Sequence, residues 1–381
     1  MPTIKGIAWD HPRGFDPMIA TAKEYTKTNP DVNIIWEKRP LQAFADRPIE
    51  EMAFEYDLMV IDHPHVGEAS RKGLLTAFDD VKKYINDLEE LKLNSVGVSH
   101  QSYEFNNHQY ALAIDAAAPV AAYNPDYIEN IPTTYEEVIK LAEKSKVILA
   151  IKPVDSISYF NSIAANMGYP INENDGEFID KKNGVTVLKT MSQLASLVSK
   201  DCLSMNPINV LDYMSMNEDR VYCPILYGYS NYSRINFRKN LIKFTNIPSF
   251  DDEKNNCKGS QIGGTGLALS SNSKFKEIAM DYAFYTASEN CQKDLYYFSG
   301  GQPGHIKAWK DNKINLDCNN FFEDTLETLE KAWLRPRYDG YMYFQDVAGT
   351  IINNYLHYGE NELSVIDNLR NEFEKSFYVN K

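Results

Sequence analysis

The chain has 381 residues, of which 43% are hydrophobic and 24% are charged. This length is more than one hydrophobic core usually supports, and it predicts two domains. Every uninterrupted apolar run is shorter than the roughly 18 residues of a membrane-spanning helix. The formal charge of −14, from 39 basic and 53 acidic side chains, argues against nonspecific nucleic-acid binding, because phosphate contacts require a basic surface.

The cysteines and the first residues bear on the cellular compartment. The five cysteines are odd in number and lack C-x-x-C spacing, which argues against a disulfide framework and a thiolate zinc site and favours a reducing compartment. The start, Met-Pro-Thr-Ile-Lys-Gly-Ile, lacks the pattern of an export signal. Two interpretations stay open: extracytoplasmic if a signal was removed, and cytoplasmic if Met1 is the native start.

Strands and helices are predicted to alternate in the first 75 residues. Three apolar runs, one ending at Trp9 and the others at residues 32–36 and 58–61, predict strands. The helix between the first two runs is predicted to start with Asp16 as its N-cap and Pro17 at its first position. This alternation is typical of an α/β fold.

The middle of the chain predicts an extended crossing between two lobes, followed by a helix-rich region. Residues 110–123 are small and apolar and end at the breaker Asn124-Pro125-Asp126. The Thr-Thr-Tyr-Glu-Glu sequence from Thr133 predicts a helix with a capping box. Apolar spacing predicts further elements: helices at residues 159–167, 187–198 and 274–287, a strand at 221–227, and a mostly helical segment from 319 onward.

Two polar loops directly follow the first and third predicted strands. Their candidate ligand-binding side chains are Trp9, Asp10, His11 and Arg13 after the first strand, and Asp62, His63 and His65 after the third. Ligands collect beyond the carboxyl ends of strands in open α/β sheets, so both loops are expected at one edge of a ligand cleft.

Each loop residue type suits a polar ligand. Asp10 and Asp62 would accept hydrogen bonds from ligand hydroxyls. Arg13 would pair with an anionic or hydroxyl group, and Trp9 would supply an apolar platform. The alternative is that the His and Asp side chains cap loops and neighbouring helices.

The same loops contain candidate metal ligands. His11, His63 and His65, with a neighbouring carboxylate, offer the nitrogen and oxygen donors of a metal site. However, His63 and His65 flank Pro64, and an extended backbone there would point their side chains to opposite sides. Metal binding is therefore the weaker hypothesis, and no cofactor is expected.

Three further segments could contact a ligand. Tyr227, Tyr229 and Asn231 combine rings with a loop backbone and would form a wall suited to sugars; the alternative is an aromatic turn in a core. The glycine-rich segments supply the candidates Gly264, Thr265, Gly301 and Gln302, whose backbone N–H groups could meet an oxyanion or hydroxyl, although such runs are more often turns. No Gly-Lys-Ser or Gly-Lys-Thr follows, so nucleoside triphosphate binding is unsupported.

Arg335 and Arg337 flank Pro336, which fixes the backbone between them. One guanidinium could meet a ligand carboxylate. The alternative is that an arginine pairs with Asp339 or Asp346 and braces the C-terminal lobe. The sequence also lacks a Gly-x-Ser-x-Gly elbow and a catalytic cysteine signature, so no catalytic residues are predicted.

The motifs taken together resemble family 1 of the extracellular solute-binding proteins over nearly the whole chain. General marks are Tyr-x-Leu-x-x-Asp ending at Asp115, Pro-Thr-Thr-Tyr-Glu-Glu-Val from Pro132 and Gly-Gly-Thr-Gly from Gly263. More specific ones are Trp-Asp-His-Pro-Arg-Gly from Trp9, Asp-His-Pro-His from Asp62, Ser-Gly-Gly-Gln-Pro-Gly-His from Ser299 and Arg-Pro-Arg-Tyr-Asp-Gly from Arg335.

The resemblance implies an α/β, two-lobed periplasmic-binding-protein-like fold (type II) with a hinge between lobes. The N-lobe would hold residues 1–115 plus 265–310, and the helix-rich C-lobe residues 116–264 plus 311–381. The ligand would lie between the lobes, with Asp115 among its contacts.

The implied function is capture of a small sugar, polyol or sugar acid by a monomer that delivers it to the membrane subunits of an ABC importer. The alternative is a cytoplasmic enzyme or intracellular binding protein on the same fold, with or without the assistance of a metal, since fold alone does not decide function.

Overall fold

The structure is a computed structural model that describes residues 1–40, 48–171, 176–251, 253 and 255–379. The strands within these ranges are β1 (Thr3–Trp9), β2 (Asn33–Arg39), β3 (Leu58–Ile61), β4 (Glu104–Phe105), β5 (His108–Gln109), β6 (Ala111–Ala117), β7 (Pro119–Tyr123), β8 (Tyr222–Tyr227), β9 (Lys243–Thr245) and β10 (Gly263–Leu269).

The α-helices within the same ranges are α1 (Pro12–Thr28), α2 (Ile49–Glu55), α3 (His65–Arg71), α4 (Ile85–Leu93), α5 (Tyr135–Ala142), α6 (Pro153–Asn166), α7 (Lys181–Ser196), α8 (Pro207–Met216), α9 (Lys276–Ala287), α10 (Glu289–Cys291), α11 (Ile306–Trp309), α12 (Asn312–Asp317), α13 (Phe321–Glu330), α14 (Tyr341–Tyr358) and α15 (Glu362–Ser376). Across the described residues, no helix is both long enough and apolar enough to cross a membrane.

The chain forms two compact units, each assembled from separate stretches of sequence. Unit 1 comprises Met1–Ala117, Gly263–Leu316 and Arg337–Asp339. Unit 2 comprises Ala118–Ile262, Asp317–Pro336 and Gly340–Lys381. The chain first passes from unit 1 to unit 2 between β6 and β7.

Unit 1 is built on a sheet with strand order β2-β1-β3-β10-β6. β1 pairs in parallel with β2 and β3, whereas β10 runs antiparallel to both β3 and β6. β6 therefore runs in the same direction as β1 and β3. As a result, the carboxyl ends of β1, β3 and β6 and the amino end of β10 share one edge of the sheet.

Side-chain alternation along these strands gives unit 1 a core on each face of the sheet. One core contains Ile4, Ala8, Leu58 and Val60, together with Met18 of α1 and Tyr282 of α9. The other contains Ile7, Met59 and Ile61, together with Met52 of α2 and Val66 of α3. Helices therefore cover both faces, as the predicted α/β pattern requires.

Unit 2 has a small antiparallel sheet with strand order β8-β7-β9 and a larger share of helix. α14 lies close to the start of α6: a Cβ on Gly349 would come 2.3 Å from the Pro153 carbonyl oxygen. A chain of aromatic contacts fills the core beside these helices, with ring centroids 5.5 Å apart for Phe160 and Phe178 and 5.1 Å apart for Phe178 and Phe344.

Most predicted elements are confirmed, including the capping box of α5, where Thr134 and Glu137 exchange hydrogen bonds. The predicted start of the first helix is wrong. α1 begins at Pro12, and the His11 Nδ1 atom accepts a hydrogen bond from the Arg13 backbone N–H at 3.0 Å. Pro12 tolerates the first helical position because it lacks an N–H, so Asp16 and Pro17 fall inside the helix.

Candidate functional site

The edge of the unit 1 sheet collects the candidates that follow its strands. β1 ends at Trp9, and β3 ends just before Asp62. Asp115 lies near the carboxyl end of β6, and Gly264 and Thr265 lie near the amino end of β10. Because β1, β3 and β6 run in the same direction, these residues lie along one edge. Gln302 joins them, since its side chain donates a hydrogen bond to the Ala116 carbonyl oxygen at 2.9 Å.

Arg13 and Asp115 form a buried bidentate ion pair at this edge. Arg13 Nε donates to Asp115 Oδ2 at 2.7 Å, and Nη2 donates to Oδ1 at 2.6 Å. Burial raises the pKa of Asp115, and the Arg13 charge opposes that rise. The pair links α1 to β6. The guanidinium of Arg13, which was predicted to pair with a ligand group, therefore pairs with a carboxylate of the protein, and its contact with a ligand stays a prediction.

The rest of the first loop is mostly engaged within the protein. Trp9 is buried, and its indole packs so closely on Gly14 that a Cβ there would lie 2.3 Å from the ring. His11 caps α1. Asp10 is exposed and accepts a hydrogen bond from Lys38 Nζ at 2.8 Å. Asp10 is therefore the carboxylate of this loop that solvent reaches.

The second loop turns where an extended backbone was predicted. Pro64 has φ −62° and ψ −17°, a helical conformation, because it is the N-cap of α3. The expected extended geometry between His63 and His65 is therefore wrong. His63 is fully buried, its backbone N–H donates to Asp62 Oδ1 at 2.9 Å, and its ring meets the Tyr103 ring edge-on. Asp62 remains partly exposed.

The histidines of these loops do not join a metal-ligand cluster in the part of the chain that the structure describes. Clusters of at least three donor atoms within 4.8 Å of one another occur there at two other places, Asp79–Asp80–His108 and Glu90–Glu289–His305. At the first, His108 Nδ1 lies 2.9 Å from Asp79 Oδ2. At the second, the neutral tautomer of His305 is set by a hydrogen bond from the Lys307 backbone N–H to Nδ1.

The two glycine-rich segments contain glycines that pack closely against neighbouring residues at the same edge. Gly264 has a φ of +95°, and a Cβ there would lie 2.3 Å from the Asp115 carbonyl oxygen. A Cβ added at Gly301 would lie 2.3 Å from the Tyr296 ring. Next to Gly264, the buried Thr265 hydroxyl has no hydrogen-bond partner among the described residues. Thr265 is therefore a polar group at the edge that a ligand could satisfy.

We expect Gly264→Ala to lower the free energy of unfolding by more than about 2 kcal/mol, because it combines a left-handed backbone with a clash against β6. Gly73→Ala is the matched control: its φ is +63°, and nothing lies within 4 Å of the added Cβ. Urea unfolding of both variants should show the larger loss for Gly264→Ala. Equal losses would mean that the close approach to β6 has no energetic weight.

The aromatic candidates lie in unit 2. Tyr227 ends β8, is partly exposed, and its hydroxyl accepts a hydrogen bond from Gln261 Nε2 at 3.0 Å. Tyr229 and Asn231 lie in the following turn and are 9% and 2% exposed. Tyr227 is thus the most accessible of the three.

The two arginines beside Pro336 belong to different units. Arg335 is buried in unit 2, and its Nη1 donates to Gln345 Oε1 at 2.6 Å. In unit 1, Arg337 Nη1 donates to backbone carbonyls, among them that of Gln101 at 2.9 Å. Both guanidiniums brace the backbone or side chains of their own unit, while their pairing with Asp339 or Asp346 stays a prediction.

Sequence reasoning missed a small cavity in unit 2 that has buried polar side chains in its lining. Asp155 lies in the first turn of α6 and Tyr159 one turn later. Asp155 Oδ2 and the Tyr159 hydroxyl are buried without a hydrogen-bond partner among the described residues, and both line a cavity of about 10 Å³ that Tyr227 also lines. Burial raises the pKa of Asp155 to about 7, against a smaller opposing effect of Lys152. The Lys-Pro-Val-Asp helix start carried no signal of this burial.

Comparison with known proteins identifies the family to which the chain is similar. The model of the bacterial extracellular solute-binding proteins matches residues 8–212. A curated relative, the maltotriose-binding protein of Pyrococcus abyssi, is 27% identical over 142 residues. That match covers 37% of this chain, and the chain spans 30% of the relative's length.

Solved structures with the same fold cover nearly the whole chain. Maltose-bound MalE3 of T. maritima has a TM-score of 0.80 at 16% identity and covers 98% of this chain and 99% of its own. A ribitol complex of a solute-binding protein from Agrobacterium radiobacter has a TM-score of 0.78 at 18% identity, with 98% of each chain covered. An α-D-tagatose complex from Thermotoga lettingae has a TM-score of 0.81 at 16% identity, with 99% and 100% covered.

These structural likenesses confirm the predicted α/β, two-lobed fold class. The family model alone spans more than half of the chain, from residue 8 to residue 212 of 381. The chain belongs to the bacterial extracellular solute-binding protein family.

Proposed function

We propose that this protein captures a small sugar, polyol or sugar acid reversibly between its two lobes and delivers it to the membrane subunits of an ABC importer. The observation that carries the proposal is the family match over residues 8–212. The names of its relatives support the ligand class, since they mention maltotriose, maltose, ribitol and α-D-tagatose. Closure of the lobes on the ligand would stabilise the form that a transporter recognises.

Polar groups in each unit support this ligand class. In unit 1, Asp10 and Asp62 are reached by solvent, and the Thr265 hydroxyl lacks a partner among the described residues. In unit 2, the Asp155 Oδ2 atom and the Tyr159 hydroxyl are buried and also lack a hydrogen-bond partner among the described residues. Buried polar groups are normally hydrogen-bonded, so these atoms are suited to the hydroxyls of a bound solute.

A thermal-shift screen of the purified chain tests the proposal. Sugars, polyols, sugar acids and divalent metals would each be added, with a chelator as control. A ligand at 100 times its dissociation constant should stabilise the protein by about 2.7 kcal/mol. We expect a shift that one class of sugar or polyol causes and that the chelator leaves unchanged. A shift that requires metal, or a ligand that disappears during incubation, would favour an enzyme instead.

A further inference from the structure

Asp155 is a buried carboxylate that the charge of Lys152 influences without an ion pair between the two side chains. No Lys, Arg or His nitrogen of the described residues forms an ion pair with it, and its Oδ2 atom has no hydrogen-bond donor among them. Solvent still reaches the residue, since 9% of it is exposed. A buried carboxyl group normally either pairs with a cation or keeps its proton, because a charge that leaves water without a counter-charge is costly.

The other buried carboxylate of this kind shows the contrast. Asp115 is 1% exposed, and both of its oxygens accept hydrogen bonds from Arg13. Asp155 is also buried, at 9% exposure. It lines a cavity, whereas Asp115 contacts a guanidinium group. The cation that would complete Asp155 is therefore expected from outside the chain.

The cavity limits what can enter. Its volume is about 10 Å³. A cavity of this size has room for roughly one water-sized group. Asp155, Ser158, Tyr159 and Tyr227 contribute the polar lining, and the rest is apolar side chain such as Ile225 and Pro207. A single –NH₃⁺ group fits this space, donates to the carboxylate and the phenol oxygen, and lies beside tyrosine rings that attract cations.

We propose that this cavity receives a primary ammonium group of the ligand, so that the captured solute is an amino sugar or amino polyol. The inference rests on the proposed function and narrows it. The chain's charge of −14 favours a cationic solute over a sugar acid. An acid would meet a like charge at Asp155 whenever that carboxyl group is ionised.

Matched ligands test the inference on the unmodified protein. Calorimetric titrations at pH 7 would compare glucosamine with glucose and N-acetylglucosamine, glucamine with glucitol, and glucuronic acid as the anionic counterpart. We expect the ammonium compound of a pair to bind at least tenfold more tightly than its neutral parent, and the acid to bind most weakly. A neutral parent that binds as tightly as its amine would overturn the inference.

Two variants test whether Asp155 causes the preference for the amine over its neutral parent. Asp155→Asn should reduce the affinity for the amine at least tenfold and that for the neutral parent less than threefold, because it removes the charge and keeps the shape. Asp180→Asn is the matched control, because it removes an exposed carboxylate of the same unit that does not line the cavity, and the preference for the amine should persist in it. Equal losses for both ligands in Asp155→Asn would contradict the inference.

The outcomes separate this inference from the proposed function. If neutral sugars bind and their amines do not, the ammonium site is wrong and solute capture stands. If no compound of either kind binds, both proposals fail.

Discussion

The stability of the Asp155→Asn variant relative to the unmodified protein should rise by roughly 4 kcal/mol between pH 4 and pH 8. Burial raises the pKa of Asp155 from 3.8 to about 7. Below pH 4 both folded and unfolded chains hold the proton. Between pH 4 and 7 the unfolded chain loses it while the folded chain keeps it, so stability falls as pH rises through this window. About 3 pH units at about 1.4 kcal/mol each give the magnitude.

Urea unfolding of both proteins at pH 4, 6 and 8 measures this difference. Asp201→Asn is the control of opposite sign, because a hydrogen bond from Arg220 lowers the pKa of Asp201. The contribution of Asp201 is present above its unfolded pKa and is lost as pH falls, so the difference should run the other way. A pH-independent difference for Asp155→Asn would show that this carboxyl titrates normally in the folded protein.

Arg13→Met should lower the free energy of unfolding by about 3–5 kcal/mol, because it leaves Asp115 buried without its counter-charge. The two side chains are 5% and 0% exposed, so water cannot replace the guanidinium. The double variant Arg13→Met/Asp115→Leu should recover most of the loss, since replacing a buried pair by apolar side chains is often nearly neutral.

Chemical unfolding of the two single variants and the double variant completes a thermodynamic cycle for this pair. The expected result is a strong coupling between the two positions, visible as a double variant that is more stable than Arg13→Met alone. Additive losses, or a loss below about 1 kcal/mol for Arg13→Met, would contradict a structural role for the ion pair.

The sequence predicted elements and strand ends better than it predicted partners. Apolar runs and capping patterns are local, so β1, β3 and the start of α5 could be placed from neighbouring residues. Arg13 and Asp115 were both candidates, yet their pairing joins positions 102 residues apart and depends on how β6 lies beside α1. Local periodicity contains no information about such a contact.

Two other differences have equally physical reasons. Pro64 was expected to extend the backbone, but a proline near a helix start is also compatible with the turn that begins α3. Asp155 was missed because an acidic residue in the first turn of a helix is ordinary and usually exposed. Its burial arises from packing of α6 beside β8, whose Ile225, Leu226 and Tyr227 share the cavity lining.

The most direct test of solute capture is a calorimetric titration with the best compound of the ligand screen, followed by denaturation of the protein and recovery of that compound. We predict saturable binding of one molecule per chain and quantitative recovery of the unchanged ligand. A ligand that is converted during the titration, or the absence of saturable binding to every sugar, polyol, amino sugar and sugar acid tested, would contradict the account.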